Sequence, residues 1–458
     1  MSRKRFVLSA AATFVALLAI YSANGRSIGA GDTAPTTFLA AAVARGDSPV
    51  LDRYHGWFGQ RLPYWVAARD GHLVSLYPVG PAVMAAPLVG VQIAFLAVVW
   101  PSWTQDEMSV LFVLGKNAAA VLAALTGVGL LVVLQRLGYE HDVFTTVAAA
   151  MLGSEMWTVA SQSLWQHGPS AFALTVALAL VLGGNGPLRL LAGGLAAGFV
   201  FACRIPSAIF VLPLVAWIAV QHRWRVGWFL AGMLPVVGLA IAYNVAWFGN
   251  WSGGIAVVEA GNEVSHAVSG RWNPHFGEGL AGTLLSPGRG LLVYCPWMAV
   301  VLLTLPWYAN RLVQRPLVGL LAASLVPSTL LLGAYTTWWA GVSFGPRFWT
   351  DATPILAILL ATCFAWTRER NAENVRAVLH AAILLAIGVQ AIGAFCYPSS
   401  WNRYPTSVDL DHRRLWDWRD NEVTRCLEEG IHPAVLRPLS PEAVDSAYGV
   451  VRRRPSGR

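Results

Sequence analysis

Charged residues are scarce in this sequence. Asp, Glu, Lys and Arg make up 12% of the 458 residues, whereas 56% of the residues are hydrophobic. Soluble domains contain roughly 25% charged residues, and a soluble fold of this length would need more polar surface than this composition supplies. With a mean hydropathy of +0.53, the chain is predicted to be an all-α, polytopic membrane helical bundle.

Lysine, cysteine and the short motifs of common soluble enzymes are also rare or missing. Lys4 and Lys116 are the two lysines, and the net charge of +8 comes without a basic run longer than three residues, which argues against nucleic acid as a partner. The five cysteines have no zinc-ligand spacing; a disulfide between Cys396 and Cys426 outside the cytoplasm is one open alternative. There is no P-loop or H-E-x-x-H motif. No metal site is predicted and no cofactor is firmly implied, with a divalent cation left open.

Long apolar segments recur along the whole chain. Many of them approach or exceed the ~20 residues that an α-helix needs to cross a bilayer. They cover about 6–22, 80–100, 108–134, 142–160, 165–183, 190–203, 206–220, 226–248, 291–310, 316–337, 352–366 and 376–396. Two long polar loops, at about 23–79 and 249–289, interrupt a membrane domain over 1–396, and a soluble tail over 397–458 follows it.

The placement of arginine predicts the orientation, because positively charged residues concentrate in cytoplasmic loops. The basic start of the chain places the N-terminus in the cytoplasm, and short basic loops recur near residues 136, 189, 223, 311 and 368. All of them are cytoplasmic only if segment 80–100 does not cross, so we predict a re-entrant or interfacial helix there. About eleven crossings and an extracytoplasmic tail follow. In the alternative, 80–100 spans and 190–220 crosses once.

Under the favoured orientation, the unusual motifs all lie on the external face. They are GAGDTAPTT (29–37), SLYPVGP (75–81), SLWQHGP (163–169), CRIPS (203–207), FGNWSGG (248–254), SPGRG (286–290) and WWAGVSFGPRFWTD (338–351). A transporter would instead place polar groups near the bilayer midplane. The asymmetry therefore predicts an external functional site.

Asp32 is the predicted catalytic residue. It lies about ten residues beyond the first apolar segment, where a carboxylate suits a general base acting on an acceptor hydroxyl. A helix N-cap is the structural alternative. Asp47, Asp52 and Asp70 share the same loop and are weaker candidates.

Four basic residues are predicted to bind an anionic substrate. Arg204, Arg289 and Arg347 each suit a phosphate or pyrophosphate, because a guanidinium group offers a rigid, permanently charged fork of donors. Binding to lipid headgroups is the alternative for each of them. Lys116 interrupts an apolar helix, where it either snorkels outward or meets a lipid phosphate.

Four further side chains are predicted to contact substrate. His72 and His167 lie in external turns, where either can bind a phosphate or a sugar. Tyr77 is placed at headgroup depth, and Trp339 either belongs to an aromatic belt or stacks on a sugar or prenyl chain.

The order of these motifs resembles that of a known family. Asp32 after the first helix, YPVGP, SLWQHGP, an Arg-x-Pro break, SPGRGLLVYCPW and WWAGVSFGPRFWTD are similar to motifs of bacterial membrane glycosyltransferases of the C superfamily. Relatives include protein O-mannosyltransferases and the lipid A aminoarabinose transferase, and the resemblance covers about residues 1–400. It implies location in the cell (inner) membrane and a polyprenyl-phosphate-linked sugar donor. It also implies inverting transfer to a glycan, lipid or protein hydroxyl, with Asp32 as base.

Two other functions stay open at this point. An O-antigen or polysaccharide polymerase or ligase also uses outward arginines and a large external loop. A non-enzymatic polyprenyl-lipid transporter would place charged residues deep in several helices, and beyond Lys116 and Glu155 the sequence has few.

Overall fold

α-Helices dominate the part of the chain that the computed structural model describes, residues 3–58, 62–260, 272–397 and 399–430. The first nine are α1 Arg3–Ser22, α2 Ala34–Ala44, α3 Gly80–Val99, α4 Glu107–Arg136, α5 Val143–Leu152, α6 His167–Leu182, α7 Pro187–Cys203, α8 Leu212–His222 and α9 Val226–Phe248. The others are α10 Ile255–Ala260, α11 Phe276–Leu285, α12 Leu291–Tyr294, α13 Pro296–Leu303, α14 Leu305–Gln314, α15 Pro316–Ala334, α16 Thr353–Glu369, α17 Glu373–Cys396 and α18 Glu422–Glu429. An antiparallel hairpin of β1 Val66–Arg69 and β2 His72–Ser75 pairs Val66 with Ser75.

Seven helical stretches within the described residues are long and apolar enough to cross a membrane, judged by length and composition. They are Lys4–Ser22, Gly80–Val99, Pro101–Arg136, Ile205–Phe248, Pro316–Ala334, Arg347–Glu369 and Glu373–Cys396. Shorter apolar helices, α5 to α7, add to them. The predicted all-α, polytopic fold class is confirmed. The predicted tail beyond residue 430 and loop residues 59–61 and 261–271 lie outside the described residues.

One end of the bundle carries the loops that the sequence assigned to the cytoplasm, and we call it the basic face. Arg315 Nη1 donates to the carbonyl of Leu137 at 3.1 Å. Asp142 in the same α4–α5 connection binds Arg368 at 2.9 Å and Arg376 at 3.1 Å. Three loops far apart in sequence therefore meet at one end.

Helices α7 and α9 pack closely and run parallel. A Cβ atom at Gly194 would lie 1.9 Å from the carbonyl oxygen of Phe229, and one at Gly198 would lie 2.7 Å from Cβ of Val236. Glycine is needed at such a close backbone approach, and the residue numbers rise together along the contact. The chain between these helices, including α8, must therefore return to the level where α7 began. This agrees with separate passages for 190–203 and 206–220 and argues against a single crossing of 190–220.

Helix α3 lies along the end of the bundle opposite the basic face, which we call the site face. Its first residue, Gly80, packs on the backbone of Ala202 at the end of α7. Twelve residues on, Gln92 Nε2 donates to the carbonyl of Leu114 near the start of α4, at 3.2 Å. Although α3 is long enough to cross, these contacts keep it at the site face and favour the predicted interfacial arrangement.

At three local points the structure adds detail to the sequence interpretation or decides an open alternative. Segment 291–310 is not one helix but three, α12 to α14, with breaks just before Pro296 and Pro306, because proline removes a helical N–H and restricts the preceding residue. The predicted polar loop 23–79 contains α2, whose first nine residues are buried. Cys396 and Cys426 are free thiols rather than a disulfide, and Cys396 Sγ lies 3.2 Å from the carbonyl of Cys426.

Candidate active site

Asp32 lies at the centre of a hydrogen-bonded group on the site face. The hydroxyls of Tyr64 and Tyr77 donate to Asp32 Oδ1 at 2.7 and 2.8 Å. Arg347 Nη1 donates to Oδ2 at 2.9 Å. Each carboxylate oxygen has two lone-pair positions, so Oδ1 is saturated while Oδ2 keeps one position free for a further donor.

The local sequence explains how Asp32 reaches this position. Gly31, Asp32 and Thr33 form a 3₁₀ turn, and Pro35 opens helix α2 directly after it, as proline commonly does. A Cβ atom at Gly31 would lie 2.3 Å from the hydroxyl oxygen of Tyr64. Glycine before Asp32 is therefore required for Tyr64 to reach the carboxylate.

The surroundings of Asp32 keep it ionised. Burial raises its pKa, but the guanidinium of Arg347 and the hydroxyls of Tyr64 and Tyr77 outweigh burial, so the pKa lies below its usual value. Burial, followed by the nearby Asp32 carboxylate, raises the pKa of Tyr77 well above its usual value. Tyr77 therefore stays protonated and donates its hydrogen bond at neutral pH.

A second buried ion pair lies beside the first. Asp351 Oδ2 accepts from Arg204 Nη1 at 2.7 Å and lies 3.1 Å from His167 Nδ1. Nη1 is the nitrogen of Arg204 with a described hydrogen bond, and Arg204 lines the site cavity. The other donors of this guanidinium are thus available to a ligand.

Aromatic rings hold the two arginines in place. The guanidinium carbon of Arg347 lies 4.3 Å from the ring centre of Trp165. The ring of Phe348 lies between the two cations, 5.1 Å from Arg204 and 5.7 Å from Arg347. Cation–π contacts of this kind favour an immobile guanidinium over a freely rotating one.

Some buried polar atoms at this site lack a hydrogen-bond partner. His167 Nε2 and Arg347 Nε are both buried and have no hydrogen-bond partner among the described residues. An unsatisfied buried polar atom costs about 1–3 kcal/mol, and in native structures such atoms are often found at functional sites.

A cavity of about 1400 Å³ opens beside these two ion pairs. Asp32, Tyr64, Tyr77, Arg204 and Arg347 line its polar side. Its apolar side is formed by residues of α9, α10 and α15, including Ala240, Val257, Val258, Leu331 and Leu332. The cavity therefore combines a charged end with an apolar wall, as a ligand with a polar head and an apolar tail requires.

Arg289 does not line this cavity, contrary to the sequence prediction. Its Nε donates to the carbonyl of Trp339 at 2.8 Å, and its Nη2 donates to Gly341 O at 3.0 Å and to Asn402 Oδ1 at 2.6 Å. Nη1 pairs with Glu422 at 2.6 Å and also donates to the carbonyl of Gly288. All five N–H donors are bound to protein acceptors, so Arg289 anchors the 338–351 loop from behind.

Lys116 is buried and neither snorkels outward nor meets the cavity. Its Nζ donates to the carbonyl of Tyr21 at 2.8 Å and to the side-chain oxygen of Gln162. Gln162 also accepts from Asn24 at 2.6 Å. The Lys116 side chain therefore ties the end of α1 to the segment between α5 and α6.

His72 and Trp339 are also placed away from the cavity lining. His72 is the first residue of β2, and its Nδ1 lies 2.6 Å from Asp52 Oδ2. Half of the His72 side chain is exposed. Trp339 is buried, and its indole N–H donates to Asp409 Oδ1 at 2.7 Å. Of the predicted contacts, Tyr77, Arg204 and Arg347 are brought together with Asp32, and His167 adjoins them through Asp351.

Sequence reasoning missed Tyr64, Asp351 and Glu422. Tyr64 belongs to none of the motifs and reaches Asp32 only through the hairpin that follows it. Asp351 is the last residue of the WWAGVSFGPRFWTD motif, and Arg204 lies in the CRIPS motif. Opposite charges in these two motifs were the available signal that the two residues form an ion pair. Glu422 lies 133 residues from its partner Arg289, and nothing in the sequence links the two.

Within the described ranges, no group of three or more His, Cys, Asp and Glu side chains is placed to hold a metal ion.

Comparisons with known proteins give one structural neighbour of note. No family model and no curated protein matches the sequence. The fold is similar to that of ArnT from Cupriavidus metallidurans bound to undecaprenyl phosphate, with a TM-score of 0.48 and 15% sequence identity. The match covers 88% of this chain and 68% of that chain. ArnT is a GT-C family lipid A aminoarabinose transferase.

Proposed function

We propose that the protein is a membrane glycosyltransferase that moves a sugar from a polyprenyl-phosphate carrier to an acceptor hydroxyl. The observation that carries the proposal is the Asp32 carboxylate, bound by Tyr64, Tyr77 and Arg347 at the charged end of a large, partly apolar cavity. The motif order supports the same assignment.

The proposed reaction is a single displacement. Asp32 Oδ2 takes the proton from the acceptor hydroxyl while that oxygen attacks the anomeric carbon. The bond between this carbon and the phosphate oxygen breaks, and the electron pair leaves with polyprenyl phosphate. Attack opposite the leaving group inverts the anomeric centre.

The two arginines have the charge and position to stabilise the leaving group. Arg204 and Arg347 line the same cavity, and their guanidinium groups match phosphate oxygens in charge and geometry. The leaving phosphate is already an anion, so it needs electrostatic stabilisation rather than a proton. The apolar wall of the cavity offers a surface for the prenyl chain, and a fixed carrier brings the reacting atoms together.

Sugar transfer by the purified protein tests this proposal. In reconstituted vesicles, we expect consumption of a polyprenyl-phosphate-linked hexose or pentose, with release of polyprenyl phosphate in an amount equal to the sugar transferred. Mass spectrometry of the lipid fraction measures both products. Movement of intact donor between leaflets without cleavage would contradict the proposal and favour a transporter.

The orientation can be tested by thiol labelling at two exposed arginines. Arg403 lines the cavity and Arg370 follows α16 on the basic face, and the five native cysteines are buried. We expect a membrane-impermeant maleimide to label Arg403→Cys in intact cells and Arg370→Cys only after permeabilisation. Labelling of both from one side would contradict the proposed placement of the two faces.

A further inference from the structure

Residues 399–430 form a compact segment that we call the C-terminal cap. Its Trp401, Val408 and Leu415 pack with Trp338 and Trp339 of the 338–351 loop in one buried apolar cluster. The hydroxyl of Ser286 in the bundle donates to the carbonyl of Leu415 in the cap. Within the cap, the indole N–H of Trp401 donates to the carbonyl of Asp420, and Arg425 forms an ion pair with the Asp420 carboxylate. The cap is thus built onto the loop that carries Arg347.

A fully buried ion pair lies beneath this contact. Glu422, the first residue of α18, pairs with Arg289 at 2.6 Å, and both side chains are almost completely inaccessible. Asn421 caps α18 by accepting from the backbone N–H groups of Val423 and Thr424. The carboxylate is therefore held at the start of a capped helix rather than on a free tail.

Glu422 also contacts the active-site loop directly. Its Oε2 accepts a hydrogen bond from the backbone N–H of Gly345 at 2.8 Å. Gly345 has a φ of +65°, and a Cβ atom there would lie 2.7 Å from the ring of Tyr294. The turn at this residue therefore tolerates no side chain and is fixed from the side of the cap.

The turn at Gly345 leads immediately to the catalytic group. The N–H of Arg347 donates to the carbonyl of Gly345 at 3.0 Å, and the Arg347 guanidinium binds Asp32. A continuous chain of contacts thus runs from Glu422 through the Gly345 peptide and Arg347 to Asp32.

We propose that Glu422 is a positioning residue of the active site, acting from the C-terminal cap through Gly345 to hold Arg347 against Asp32. The kinetic test of this inference rests on the proposed function, because it measures sugar transfer. Glu422 contacts no part of the cavity lining and acts only through the backbone of the loop.

The experiment compares two double variants that differ only in the acceptor at position 422. Arg289→Met with Glu422→Gln removes both buried charges but keeps an amide oxygen for the Gly345 N–H. Arg289→Met with Glu422→Leu removes both charges and the acceptor. Removing both partners avoids the large penalty of one uncompensated buried charge, so that both proteins are expected to fold.

Two readouts are expected to separate these variants. In the Leu variant, kcat/KM for sugar transfer should be about tenfold lower than in the Gln variant, because small displacements of a catalytic group are costly. The acid limb of its pH–activity profile should move to higher pH, because a displaced Arg347 lowers the pKa of Asp32 less. Hydrogen–deuterium exchange of the 341–350 peptide should be faster in the Leu variant.

The outcomes distinguish the inference from the proposed function. Equal exchange, equal kcat/KM and equal pH profiles in the two double variants would overturn the positioning role. If the wild-type protein transfers no sugar, the proposed function fails, and the exchange rates alone still decide whether Glu422 fixes the loop. Faster exchange with unchanged kinetics would also contradict the inference, because the loop would then move without affecting Asp32.

Discussion

Replacing Asp32 by asparagine is expected to lower the rate of sugar transfer by about 100- to 10,000-fold, the usual contribution of a positioned general base. The amide has nearly the same shape and can still accept from Tyr64, but it cannot take a proton from the acceptor hydroxyl. The measurement is the initial rate of transfer in reconstituted vesicles at a saturating donor concentration.

Asp52→Asn is the matched control for this variant. Asp52 belongs to the same loop and is bonded to His72 and to the backbone of Leu73 at the edge of the hairpin, outside the cavity lining. We expect its transfer rate to stay within about twofold of wild type, as is usual for surface substitutions. Full activity of Asp32→Asn would remove the assignment of Asp32 as base.

Replacing Arg347 by glutamine is expected to lower kcat/KM for the donor by about 100- to 1,000-fold, the scale of losing one donor to a developing charge. The variant loses the cation beside the leaving phosphate and the partner of Asp32 together. Because Arg347 lowers the pKa of Asp32, that pKa rises in the variant. Asp32 then becomes protonated at higher pH, and the acid limb of the activity profile moves to higher pH.

Arg69→Gln supplies the control for the loss of positive charge. Arg69 ends β1 at the exposed tip of the hairpin, so its removal should leave both the rate and the pH profile unchanged. Arg347→Lys should recover only part of the activity, because lysine keeps the charge but not the planar fork. An unchanged acid limb of the pH–activity profile in Arg347→Gln would show that Arg347 does not lower the pKa of Asp32.

The two ion pairs explain why the site accommodates so many charges. Arg347 is neutralised by Asp32 and Arg204 by Asp351, so the protein buries pairs rather than isolated ions, whose burial is far more costly. A donor phosphate would compete with these carboxylates for the same guanidinium groups.

The sequence predicted the fold class, which is confirmed, and it proposed site residues whose roles stay predictions. Low charge and long apolar segments predicted helices that span a membrane, because a backbone in lipid must satisfy its own hydrogen bonds. Repeated arginines predicted which loops share one face, and the contacts of Asp142 with Arg368 and Arg376 agree with that grouping. Asp32 and Arg347, each next to a glycine or proline turn, were selected from their motifs, and the structure pairs them at 2.9 Å.

Other assignments failed because charge and residue type do not define a partner. Arg289 and Arg347 lie in similar Gly-Pro-rich motifs, yet the first is saturated by protein acceptors and the second faces the cavity. Lys116 has the composition of a lipid-phosphate ligand, but its ammonium is bonded to Tyr21 and Gln162. Only the positions of the surrounding carbonyl groups separate these cases.

By itself the sequence determined that this protein is a helical bundle with its distinctive polar motifs gathered toward one end, because hydropathy and arginine placement act locally along the chain. Tertiary structure alone decided which carboxylate meets which guanidinium: Tyr64 and Arg347 converge on Asp32, and Glu422 reaches back to Arg289 and Gly345. Hydrogen bonds and ion pairs act over a few ångströms, and those distances between remote residues exist only after the helices have packed.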